Sequence, residues 1–190
     1  LYLLYHAFFR CWLKKERARK TSCMTDDKIM DALQGIAQEL YYGPCCSVRY
    51  QDTAITGLLT FSGFSEDGAK TATGFYHRSL CAYFYAESVF TAFQQGGAAV
   101  VRVLRQTLRN DITDYVRGAI STIRDEEELR RLQKNLMDIY LYTVRPDESS
   151  LDAETRSLLD NLSGEGLFSL KNELLYFVTR LPMLSKDIPE

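Results

Sequence analysis

Residues 75–93 read FYHRSLCAYFYAESVFTAF. This is the most apolar long segment of the chain. Tyr76, Leu80, Tyr83, Phe84, Phe90 and Phe93 cover more than one face at helical spacing. A helix that is apolar nearly all round belongs at the centre of a bundle. The stretch Gln94 to Gly97 ends it, so the rest of the chain has to supply helices that wrap it.

Working outward, TDDKIMDALQGIAQELYYGP (25–44) carries Ile29, Leu33, Ile36 and Leu40 at helical spacing. Thr25 is an N-cap, Asp26 and Asp27 suit the positive helix end, and Gly43-Pro44 stops the run. The segment DEEELRRLQKNLMDIYLYTVRP (125–146) is the clearest helix. Its stripe is Leu129, Leu132, Leu136, Ile139 and Tyr140, with Asp125 and Glu128 forming an acidic capping box. Glu126–Arg130 and Glu127–Arg131 are i,i+4 pairs. Between them, residues 98–124 place apolar side chains at 101, 104, 108, 112, 116, 120 and 123, with a break expected at Asn110-Asp111. Ser150 caps a short helix closed by Gly164. A last helix spans about 167–181 and ends at Pro182.

The run CCSVRYQDTAITGLLTFSGF (45–64) fits a buried helix over about 52–61 or a strand. No partner strand is evident elsewhere, so helix is expected, and SGFSEDGAKTATG (62–74) reads as a loop. The tally is an all-α fold, an irregular helical bundle of about six or seven helices with an N-terminal amphipathic helix. The expected organisation is a docking segment at 1–22 and a single helical domain at 23–190.

At 190 residues the chain buries enough surface to need no disulfide or metal staple. Hydrophobic residues make up 46% and charged residues 25%, which is globular rather than disordered. A net charge of −2 argues against nucleic acid as a partner. Cysteines at 11, 23, 45, 46 and 81 form neither a disulfide framework nor a zinc spacing. That pattern points to an intracellular, reducing compartment, cytosolic or within an organelle. No metal and no cofactor is expected. The sequon at Asn161 falls where a helix should end.

The first residues, LYLLYHAFFRCWLKKERARK, carry the main functional signal. As a helix they set Leu1, Leu4, Tyr5, Phe8 and Trp12 on one side and His6, Arg10, Lys14 and Arg17 on the other. A membrane span needs about 20 apolar residues. The apolar run here is shorter and Arg10 interrupts it, so a complete span within this chain is excluded, while one beginning upstream of Leu1 is left open. Leu4, Phe8, Trp12, Arg10, Lys14, Lys15 and Arg17 are therefore expected to dock on another protein subunit or on a membrane surface.

The remaining constellations are weaker. Arg102, Arg105 and Arg109 recur at spacings of three and four, as a basic stripe would, and suit an acidic partner or a phosphate. His77 and Cys81 stand at i,i+4 on the central helix, where a histidine activates a thiol. Two groups inside one apolar helix read better as packing. Glu87 amid aromatics calls for a cation, with Arg102 or Arg105 as the expected partner, or else is a proton-handling acid. Adjacent Cys45 and Cys46 read as free thiols. The expected function is a non-enzymatic interaction subunit of a larger assembly, associated with a membrane in one version. The alternatives are a bundle that binds an apolar molecule such as a lipid or pigment, and a thiol-dependent enzyme.

Overall fold

The computed structural model describes residues 1–19, 24–49, 53–64, 69–146 and 151–184. In chain order the elements are α1 (Tyr2–Arg19), α2 (Asp26–Tyr42), β1 (Cys46–Arg49), α3 (Thr53–Thr56), β2 (Leu59–Phe64) and β3 (Ala69–Phe75). They continue as α4 (Arg78–Gln95), α5 (Gly97–Val103), α6 (Asn110–Ile120), α7 (Glu126–Val144), α8 (Ala153–Asp160) and α9 (Gly164–Leu184). The fold is a mostly helical, irregular bundle. Among the described residues it has eight helices of seven residues or more, the four-residue α3 and one small three-stranded sheet. Its contacts group into two compact units, Leu1–Ser88 and Val89–Glu190, and the division falls inside α4. The docking segment expected at 1–22 therefore shares a unit with everything up to Ser88.

In the first unit, α2 begins as its sequence dictates: Lys28 N–H donates to Thr25 Oγ1 at 3.4 Å. Ile29, Leu33 and Ile36 are buried. The segment 45–75 corrects the helix-and-loop expectation. Among its described residues only 53–56 are helical, and three strands pair antiparallel in the order β1-β3-β2. Cys46 stands opposite Ala72, and Leu59 opposite Phe75, all four buried. The pairing partner β3, AKTATGF, is rich in threonine and alanine and poor in large apolar residues, so its composition resembles a loop. Its threonines suit a pleated surface all the same.

The aromatic run of α4 forms the core here. Phe84 meets Phe9 edge-on at 5.0 Å and stacks on Phe75 at 5.4 Å. Tyr85 stacks on Tyr41 at 4.2 Å, and its hydroxyl lies 2.7 Å from that of Tyr42. Every residue from Ala82 to Val89 is buried, as the apolar-all-round reading requires.

In the second unit, α7 packs on α9, α5 on α8, and α6 on α9. Phe93 meets Phe177 at 5.0 Å. Asp125 caps α7 by accepting from Glu127 N–H at 2.9 Å, but Glu128 does not close the expected box. Its Oε1 accepts instead from Gln94 Nε2 at 2.8 Å. The pair Arg130–Glu126 forms at 2.9 Å. Ser150 lies outside the described residues. The cap of α8 is Asp152, whose carboxylate accepts from both Thr155 N–H (2.8 Å) and Thr155 O–H (2.6 Å). Gly164 opens α9 rather than closing a helix, and α9 continues through Pro182 to Leu184.

Two polar contacts fix the corners. Asn135 Nδ2 donates to the carbonyls of Phe93 and Gln94, both at 3.0 Å, satisfying the last turn of α4. Gly96, in the left-handed region at φ 76°, then turns the chain into α5. A methyl group there would sit 2.8 Å from Asn135 Cγ. Between α5 and α6, Leu108 N–H donates to buried Glu173 Oε1 at 3.0 Å, and the Thr107 and Ser169 hydroxyls meet at 2.7 Å.

Burial raises the Glu173 carboxyl above its ordinary range, while the Leu108 bond pulls it back. Its contribution to stability is therefore full below the unfolded-state pKa and is lost as pH rises through the native one. Glu173→Ala should cost about 1–3 kcal/mol by orphaning Leu108 N–H. Glu173→Gln, which keeps an acceptor and removes the charge, should hold stability near the parent and flatten its pH dependence. Urea unfolding across the mildly acidic range reads both.

Candidate docking face on the first helix

The first helix starts at Tyr2. The Leu1 carbonyl opens it by accepting from Leu4 N–H (3.1 Å) and Tyr5 N–H (3.3 Å). The face that packs inward is Tyr2, Phe9 and Leu13, with His6 half-buried among them. The side expected to dock faces water in part. Leu1, Leu4 and Phe8 are 80%, 65% and 49% exposed, while Tyr5 and Trp12 are half-buried. The physical reason is that α1 has two apolar faces. Tyr2 and Phe9 meet the rings of Tyr83 and Phe84, with Tyr2 at 5.9 Å from Tyr83. That ring contact decides which face is buried.

His6, read from the sequence as lying on the side away from Leu4 and Phe8, sits in a half-buried polar node. Arg10 Nε–H donates to His6 Nε2 at 3.2 Å, so that nitrogen holds a lone pair and the proton resides on Nδ1. Nδ1 faces the Tyr83 hydroxyl at 3.2 Å and Glu87 Oε1 at 3.9 Å. Glu87 Oε1 is buried and accepts no hydrogen bond. Burial first, and then the Glu87 charge and hydrogen bonding, push both the Tyr2 and Tyr83 phenols far above their ordinary range. The group that faces Glu87 is thus the imidazole of His6. Arg102, one of the expected partners, pairs with Glu154. The signal for His6 was Glu87 itself, a carboxylate within an aromatic run that needs a hydrogen-bonding neighbour. The node pins α1 to α4.

Arg10, Lys14, Lys15, Arg17 and Arg19 are exposed. Arg17 pairs with Asp26 at 2.8 Å and Arg19 with Glu16 at 3.3 Å. Among the described residues no carboxylate lies within ion-pair distance of Lys14 or Lys15. Beside the exposed apolar face, Leu4, Tyr5, Phe8, His77 and Leu80 line an open groove of about 390 Å³.

Of the other candidate groups, His77 lines this groove. Arg102 lies on α5, whereas Arg105 and Arg109 fall in the non-helical stretch 104–109. The break precedes Asn110, so the three arginines do not form one helix stripe, and Arg109 pairs with Asp111 at 3.0 Å. His77 precedes α4 rather than lying on it. Its Nδ1 accepts from Ser79 N–H at 3.3 Å, and Tyr5 OH lies 3.5 Å away. Cys81 is a half-buried thiol. Cys45 is exposed and Cys46 buried. Burial, then Glu39 and Cys45, push the Cys46 thiol up to about 12. Among the described residues no cluster could hold a metal ion, and no helix is long and apolar enough to cross a membrane.

Two measurements check this geometry. On alkaline titration followed by ultraviolet absorbance, Tyr2 and Tyr83 should ionise last. Because the native state keeps those protons, their contribution to stability is full below the ordinary tyrosine value of about 10 and is lost as pH climbs above it. Tyr83→Phe should make that loss shallower. In the second test, a maleimide at mildly alkaline pH should label Cys11 and Cys45 rapidly and leave Cys46 unmodified until the protein unfolds. Compared with protein-family models, curated proteins and solved structures, the chain matches none.

Proposed function

We propose that this protein is a non-enzymatic helical interaction subunit that binds another protein through the outward face of α1. One observation carries the reading. The helix has already satisfied its packing through Tyr2, Phe9 and Leu13, yet it presents Leu1, Leu3, Leu4 and Phe8 to water at one end. Scattered surface leucines need no explanation, whereas large apolar side chains gathered on one helix end mark an interaction site. The groove bounded by Tyr5, His77 and Leu80 continues that face and offers a depression for a partner's side chain.

The aromatic run of α4 bears on the ligand-binding alternative. Tyr83, Phe84, Tyr85 and Phe93 are fully buried and in ring contact with neighbours within their own units. They pack as core rather than as the wall of a ligand cavity.

A photo-crosslinking amino acid at position 8 tests the proposal in the cells that make the protein. A discrete heavier adduct should form from position 8 and not from exposed, polar position 28 on α2. Absence of an adduct at position 8, or the same adducts from both positions, would overturn it.

A further inference from the structure

We propose that His6 is a proton-operated latch on Arg10: the neutral ring holds the guanidinium, and the protonated ring releases it while α1 stays seated on α4. The latch operates whether or not the outward face of α1 docks on a partner. It follows from the separate tasks of the two ring nitrogens. Nε2 accepts from Arg10 Nε–H at 3.2 Å. Nδ1 faces α4, with the Tyr83 hydroxyl at 3.2 Å and Glu87 Oε1 at 3.9 Å. With the first proton on Nδ1, a second can enter the ring only at Nε2. An acceptor there becomes a donor. Two N–H groups then point at each other, and a positive ring confronts a positive guanidinium, so the hydrogen bond to Arg10 is lost.

The neighbours of His6 decide which side gives way. On α4 stand Tyr83 and Glu87, and Glu87 Oε1 is withdrawn from water and accepts no hydrogen bond. A cationic ring suits that carboxylate, and Nδ1–H keeps its direction in both states. On α1, Tyr2 stacks on the ring at 5.7 Å, and burial keeps its phenol protonated. Toward α2, His6 and Arg10 line a pocket of about 410 Å³ with Lys14, Arg17, Asp26 and Asp27. Arg17 already holds Asp26 at 2.8 Å, which leaves the exposed Asp27 carboxylate as the opposite charge on the far wall. Arg10 is itself exposed, so water solvates the freed guanidinium at little cost. It stands one turn after His6 on the same helix, and the exchange needs a side-chain rotation alone. The arginine therefore moves, and the helix does not.

Nitrogen-15 NMR of the full chain from about pH 8 to about pH 5, where histidines change charge, reads the latch. The chain has two histidines, and His77→Gln, a change at an exposed residue, identifies the His6 signals. At the upper end the His6 ring should carry hydrogen on Nδ1 and none on Nε2, with scalar coupling to Arg10 across the Nε–H···Nε2 contact. As the ring takes its second proton, the coupling should vanish and the Arg10 Nε–H shift should follow the same curve. The backbone amides of Phe9 and Leu13 should stay protected from exchange throughout. In His6→Gln, which does not titrate, the Arg10 shift should be flat.

Hydrogen on Nε2 in the neutral ring, an Arg10 signal indifferent to the His6 titration, or a ring that gains no second proton in this range overturns the latch. So does an Arg10 shift that still moves in His6→Gln. Loss of protection at Phe9 and Leu13 along the His6 curve overturns it too, since the acid response would then be an undocking of α1. The decisive readings come from the parent chain, so they stand even if the His6 variant fails to fold.

Discussion

From Ala82 to Val89 every side chain of α4 is withdrawn from water, and this constraint organises its surroundings. A helix with no polar face cannot be stable alone, so its neighbours must bring matching surfaces. In the first unit these are rings. Phe84 is held between Phe9 and Phe75, and Tyr85 lies against Tyr41 and Tyr42. Edge-on and offset stacking leaves little freedom in where each ring sits. The inward face of α1 is set by that requirement, because Tyr2 and Phe9, with half-buried Tyr5 beside them, complete the cluster.

The same constraint explains which features could be read from the sequence. The burial of α4, the Thr25 cap of α2 and the stripe of α7 are local properties, visible in spacing and in cap residues. The second apolar face of α1, Tyr2, Phe9 and Leu13, was not legible, because periodicity finds an apolar face but does not rank two of them. The choice between Leu4–Phe8 and Tyr2–Phe9 is made by residues about 75 positions later. The sheet was missed for a related reason. Leu59 and Phe61 read as apolar in either conformation, and the strand that pairs with them is built from Ala, Thr and Gly. The arginine spacing at 102, 105 and 109 promised a stripe only if the helix continued. The chain instead leaves helical geometry at Leu104, and Glu173 and Ser169 hold residues 107 and 108 in their non-helical course. Of the residues expected to dock, Leu4 and Phe8 are exposed and Trp12 is half-buried.

Polar side chains have a distinct task in the two units. In the first, the His6–Tyr83–Glu87 node lies in the midst of the aromatic cluster and fixes how α1 rotates about its axis. Sliding α1 by one residue would separate His6 from Tyr83 and break that part-buried hydrogen bond. In the second unit, Asn135, Glu173 and Asp152 each satisfy backbone amides or carbonyls where a helix starts or stops. These contacts let short connections replace long loops.

The corner from α4 into α5 has a consequence for ancestry. Gly96 and Gly97 both take backbone angles that other residues resist, and hydrogens on their α-carbons face Asn135, Thr155 and Asp152 with no room to spare. Glycine, amide, carboxylate and hydroxyl thus interlock across sixty positions of chain. A side chain at either glycine would have to push one of these partners aside. The doublet of glycines, with an asparagine some forty residues on and an Asp-x-x-Thr beyond it, is a fingerprint by which distant kin can be sought.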